Sequence, residues 1–113
     1  MSRSWQRVAD EGALKRGKSM TVEAFGYAVA LYNVDGRILA TQDACPHEGA
    51  SLGCGGRLVD GVIACGYHHW EFDVRTGASL DGFDDELWTF PVKVEGGAIW
   101  VGLPEGLEPA GPF

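Results

Sequence analysis

Short blocks of Val, Ile, Tyr, Phe and Trp, seventeen glycines, and turn dipeptides at regular intervals mark this 113-residue chain as an all-β protein built from antiparallel hairpins. Asp35-Gly36, Asp60-Gly61, Thr76-Gly77 and Gly96-Gly97 each fall between segments rich in strand formers, where residues tolerant of positive φ close tight hairpin turns. The apolar and aromatic content is too high for a disordered chain, and the length suits one compact domain spanning residues 1–113.

Taken in order, Trp5 to Val8 predicts a first strand, and Asp10 to Arg16 one short helical turn with Asp10 as its cap. Met20 to Ala24, Tyr27 to Val34 and Arg37 to Thr41 follow as strands, the last two joined at Asp35-Gly36. Beyond Cys45 the texture changes. Gly49, Gly53, Gly55 and Gly56 crowd into one loop, and the strands flanking Asp60-Gly61 are short, as expected of a small inserted unit. Two longer strands return between Trp88 and Val101, with Pro91 marking an edge or a bulge because it cannot donate to a ladder. The Pro- and Gly-rich tail from Pro104 to Phe113 is expected to wrap the surface or fray.

A formal charge of -7 repels a phosphate backbone, and no Lys/Arg cluster offsets it, so nucleic acid is excluded as a partner. Residues 1–11 contain no apolar export core and nowhere do about 18 apolar residues run together, so a cytoplasmic, unanchored protein is expected. Cys45, Cys54 and Cys65 cannot all pair as disulfides, which argues for a reducing compartment and for thiolates in chemical use.

Two short motifs carry that chemistry: Cys45-Pro46-His47 and Cys65-Gly66-Tyr67-His68, with seventeen residues between His47 and Cys65. Each offers one thiolate and one imidazole. The interval allows the chain to go out along a strand, turn at Asp60-Gly61 and return, which would bring both pairs to adjacent loops. Two Cys and two His would also suit tetrahedral zinc, but zinc modules usually pair Cys with Cys and His with His. His69 reads as a surface neighbour of His68, and Cys54 as an incidental loop thiol. Trp70 reads as packing beneath the loops rather than as a docking residue. Asp84, Asp85 and Glu86 read as a solvated acidic run with weak complementarity to a basic partner.

C-x-H followed at this distance by C-x-x-H resembles the signature of the Rieske [2Fe-2S] proteins, in which two His replace two Cys on one iron. Pro46, Gly49 and the Val74-Arg75-Thr76-Gly77 turn match the same pattern, and the resemblance extends over essentially the whole chain. It implies the Rieske fold: an antiparallel β-sandwich or incomplete barrel base carrying a small cluster-binding subdomain of two loops, at about residues 43–72. It further implies that Cys45 and Cys65 hold the inner iron and His47 and His68 the outer one of a single cluster.

Two ferric ions, two sulfides and two thiolates sum to no net charge with neutral imidazoles, whereas four thiolates would leave a dianion, which is harder to reduce. A potential above that of four-cysteine ferredoxins is therefore expected. Rieske proteins of cytochrome complexes bridge the loops with a disulfide, but the corresponding positions here are Ala50 and Tyr67. They also place Gly-Ser after the second histidine, where this chain has His69-Trp70, so the low-potential, ferredoxin end of the range is expected.

His68-His69-Trp70-Glu71-Phe72 is similar to the ferredoxins of bacterial arene monooxygenases. The function implied is transfer of single electrons from an NAD(P)H-dependent flavin reductase to the terminal oxygenase of an aromatic mono- or dioxygenase system, with no catalysis by the chain itself. A terminal oxygenase would need a mononuclear iron, commonly on two His and a carboxylate, and only three His exist here, two of them committed. The alternative is a Rieske-like small subunit of another redox enzyme, such as nitrite reductase.

Overall fold

The structure is a computed structural model, described here for residues 4–46, 49–66, 70–81 and 86–109. Its strands run β1 Trp5–Asp10, β2 Ser19–Ala24, β3 Tyr27–Val34, β4 Arg37–Gln42, β5 Arg57–Val59, β6 Val62–Ala64, β7 Glu71–Asp73, β8 Thr89–Phe90, β9 Val92–Glu95 and β10 Ala98–Gly102. A single helical turn, α1, covers Leu52–Gly55. Every pairing is antiparallel, in three sheets ordered β1-β10-β9, β2-β3-β4-β8 and β5-β6-β7.

The hairpin turns form where left-handed backbone is tolerated. Asp35-Gly36, Asp60-Gly61 and Gly96-Gly97 all have positive φ at both central residues, the geometry whose twist matches paired strands. Thr76-Gly77 behaves differently: it belongs to a turn closed by Gly77 N–H on the Asp73 carbonyl, and the segment beyond it pairs only through isolated bridges such as Phe72 with Ser79. The turn between β2 and β3 is Phe25-Gly26, with φ of 56° and 85°. Gly26 and the break between the two strand segments mark this turn in the sequence, but nothing there shows that Phe25 takes left-handed backbone. Phe25 packs against the core beneath and its N–H donates to the Gln6 side-chain oxygen at 3.0 Å, which holds the strained residue in place.

The expected helical turn after β1 is a short 3-10 segment, Glu11–Ala13, without a side-chain cap from Asp10. The Asp10 carboxylate instead takes the guanidinium of Arg7, so it is turned away from the helix. Pro91 stands between β8 and β9, each at the edge of its sheet, where the chain passes from the four-stranded sheet to the first three-stranded one. Its missing donor therefore costs no ladder bond, while its carbonyl accepts from Gly102 N–H. The described part of the tail wraps the surface: Leu107 packs on the base core and the Tyr27 hydroxyl donates to the Glu108 carbonyl.

Two apolar cores lie on opposite faces of the four-stranded sheet. Val29, Leu31, Ala40 and Phe90 face Ile99 and Val101 of the first sheet. Ala30 and Tyr32 face Leu52, Ile63, Phe72 and Val74 of the small unit, together with Cys45 and Cys65. Strand β3 thus alternates between two buried environments, as the two-residue period of a strand requires.

Burial of the Tyr32 phenol pushes its pKa well above the ordinary value, and the nearby Asp43 adds to that. Thr41 donates its own proton to the Gln42 carbonyl at 2.8 Å, so Tyr32 donates to Thr41 Oγ1 at 2.9 Å. A phenol kept neutral when folded and free to ionise when unfolded makes stability fall as pH rises through the unfolded value of about 10. Tyr32→Phe should lose about 1 kcal/mol at pH 8 through the missing hydrogen bond. Chemical denaturation should show that deficit narrowing towards pH 11, because the variant lacks the alkaline loss.

Candidate functional site

Strand β4 ends at Gln42, and the chain enters the small unit through Asp43 and Cys45. The Cys45 N–H donates to the Ala50 carbonyl at 2.9 Å, and within that span Gly49 N–H returns to the Cys45 carbonyl at 2.8 Å. A second loop leaves β6 at Cys65, whose N–H donates to the Trp70 carbonyl at 2.8 Å. The two loops are therefore closed in the same way: each opens on a cysteine bonded to the carbonyl five residues on. Both cysteines are buried, at 2% and 0% exposure, in the same apolar cluster.

Of the expected ligands, the structure brings Cys45 and Cys65 together in that cluster at the bases of the two loops. His47 and His68 belong to the same two loop spans in sequence but lie outside the described residues, as do His69, Asp84 and Asp85. Glu86 is exposed. Trp70 is half-buried and packs against the cluster that holds both cysteines, as expected of a supporting residue. Cys54 is exposed, its thiol 3.2 Å from the Thr21 hydroxyl.

The loops are pressed together at glycines. A Cβ on Gly66, next to Cys65, would come within 2.6 Å of the carbonyl of Gly55, which ends α1 of the first loop. A Cβ on Gly53 would lie 2.4 Å from Thr21 Oγ1 and 2.7 Å from the Met20 carbonyl, so α1 rests directly on β2. Between the loops lies an open groove of about 390 Å³ lined by Ala50, Ser51, Cys54, Gly55 and Gly66.

Sequence reasoning took this glycine-rich stretch for irregular loop and overlooked both α1 and the residue that organises it. Ser51 caps the turn by accepting from Cys54 N–H at 3.1 Å. Asp43, only 6% exposed, accepts from Gly53 N–H and from the Thr21 hydroxyl on the same oxygen, both at 2.8 Å. Its backbone carbonyl accepts from Leu52 N–H at 2.8 Å. The only signal in the sequence is an acidic residue two places before Cys45.

Close approach separates the glycines experimentally. Gly53→Ala drives a methyl into the backbone of β2 and should cost about 1–3 kcal/mol as α1 is pushed off its seat. Gly55→Ala, with nothing within 4 Å of the added carbon, should leave stability within about 0.5 kcal/mol of the parent in the same urea titration.

Comparison with known proteins returns one family. Residues 4–87 match the model of the Rieske [2Fe-2S] domain. The ferredoxin component of the p-cumate 2,3-dioxygenase system of Pseudomonas putida is 43% identical over 77 residues, covering 67% of this chain and 65% of that protein. The ferredoxin component of the alkene monooxygenase system of Xanthobacter autotrophicus is 38% identical over 76 residues, covering 67% and 62%. In both cases the match takes up less than two thirds of the relative's length. Among solved structures, a complex of reduced oxygenase and oxidized ferredoxin in carbazole 1,9a-dioxygenase contains a chain with a TM-score of 0.81 and 32% identity. That likeness covers 92% of this chain and 97% of the other.

Proposed function

The chain belongs to the Rieske [2Fe-2S] domain family, and from that membership we infer that it is a ferredoxin, an electron carrier that catalyses no reaction of its own. It takes single electrons from an NAD(P)H-dependent flavin reductase and delivers them to the terminal oxygenase of a multicomponent aromatic mono- or dioxygenase system. The observation that carries this is the pair of loops closed alike on buried cysteines, in a chain similar to ferredoxin components of both a dioxygenase and a monooxygenase system.

The residues present fit the family's cluster. Cys45 and Cys65 offer two thiol sulfurs, held out of solvent within one apolar cluster, and would ligate one iron. His47 and His68, two and three positions beyond those cysteines in the sequence, would ligate the other. When bound, the cluster accepts and releases one electron, at a potential above that of four-cysteine ferredoxins because the mixed ligand set leaves it less negative. The protein excludes water from the sulfur side, fixes the cysteine backbones through the loop-closing bonds, and leaves the positions of the disulfide of high-potential relatives to Ala50 and Tyr67.

A nicotinamide gives up electrons as a hydride pair, whereas this carrier takes one at a time, so a flavin must stand between them to split the pair. The oxygenase as acceptor is supported by the solved complex of an oxygenase with a similar ferredoxin. Redox encounters of this kind are small and transient. Among the described residues no helix is long and apolar enough to cross a membrane. We place the chain in the cytoplasm, where thiols stay reduced and the nicotinamide pool lies.

Anaerobic reconstitution with iron and sulfide, followed by absorption and EPR of the reduced protein, tests the assignment. A Rieske spectrum at low potential is expected for the parent chain, and His47→Ala and His68→Ala should each abolish it. A colourless protein holding only zinc, or either histidine variant keeping the parent spectrum, would overturn it.

A further inference from the structure

We propose that Asp43 is the positioning residue of the cluster site, locking the Cys45 loop to α1. This rests on the ferredoxin assignment above. Four hydrogen bonds tie this one residue to three elements. Its N–H donates to Ala28 of β3 at 3.1 Å, its carbonyl accepts from Leu52 of α1 at 2.8 Å, and its Oδ1 accepts from Gly53 of α1 and Thr21 of β2. Thr21, having given its proton to Asp43, receives the Ser51 hydroxyl at 3.2 Å and the Cys54 thiol at 3.2 Å. A single carboxylate oxygen thus gathers β2, the N-terminal end of α1 and, two residues later, the loop that opens on Cys45.

Both partners of Oδ1 are donors, a backbone amide of α1 and a hydroxyl of β2, so one carboxyl oxygen closes the start of α1 onto the neighbouring strand. Asp43 is almost fully buried, so water does not compete for those bonds. The chain reaches Cys45 two residues later, and the start of its loop is fixed where Asp43 is fixed.

Because both bonds fall on Oδ1, Asp43→Asn keeps them on its amide oxygen, whereas Asp43→Ala removes the anchor. Thr21→Val deletes one of the two donors. The three holo-variants are compared with the parent by circular dichroism, EPR of the reduced form, and the rate of cluster loss to a chelator. Asp43→Asn is expected to keep the parent EPR spectrum and a rate of cluster loss within about twofold of the parent's. Asp43→Ala should alter the EPR spectrum and lose its cluster about tenfold faster or more, with Thr21→Val between the two.

A folded Asp43→Ala that keeps the parent EPR spectrum and releases its cluster no faster than the parent overturns the positioning role, as does an Asp43→Asn that loses its cluster about tenfold faster. Should Asp43→Ala fail to fold, the proposal stands if Thr21→Val loses its cluster faster than the parent while Asp43→Asn does not, and falls otherwise. A parent protein without a Rieske spectrum would instead sink the ferredoxin assignment.

Discussion

The whole arrangement depends on β3 being buried on both faces. In most sheets of this size one face meets water, and a strand can pair out of register at moderate cost. Here Val29 and Leu31 fill the base core while Ala30 and Tyr32 fill the core of the small unit. A slip of one residue would exchange the two sets, forcing the Tyr32 phenol away from Thr41 and among aliphatic side chains with no partner. Pairing with β2 from Ser19 to Ala24 and with β4 from Arg37 to Gln42 is fixed accordingly. The point where β4 ends is therefore set by the packing of its neighbour β3, and the Cys45 loop starts from that point.

From there the small unit is held by contacts that leave no room for side chains. Gly53 against β2 and Gly66 against the end of α1 act through close approach, since neither requires a positive φ. Backbone pressed on backbone is stiffer than side chain on side chain, having no rotamers to adjust. That stiffness suits the electron carrier proposed above, whose ligands should hold the same positions before and after the electron arrives.

Much of this was legible in the sequence wherever residue type and local geometry agree. Asp35-Gly36 and Asp60-Gly61 announce their hairpins because both residues tolerate left-handed backbone. Cys45, His47, Cys65 and His68 stand out because Cys and His are scarce in this chain and recur at a ligand spacing. The features that stayed hidden are decided by tertiary contact. Phe25 occupies a turn position against its own preference because the base core and Gln6 hold it there. Leu52–Gly55 has poor helix propensity and forms a turn only because Ser51 and Asp43 satisfy its first N–H groups. Asp43 itself, between Gln42 and Ala44, looks like any polar residue at a strand end.

The burial of the two cysteines has its origin in the same topology. Cys45 and Cys65 open their loops beside strand ends, so they inherit the burial of the core that Ile63, Phe72 and Leu52 build. His47 and His68 come later in each loop, beyond the closing bond's first residue. Displacing either cysteine would open an apolar core at a cost of about 1.5–3 kcal/mol for each large side chain uncovered. A change of redox state supplies no such rearrangement, so the two cysteines stay where folding put them. The fold's contribution to the proposed electron transfer is thus a penalty on movement, applied at the two residues whose backbone N–H groups close the loops.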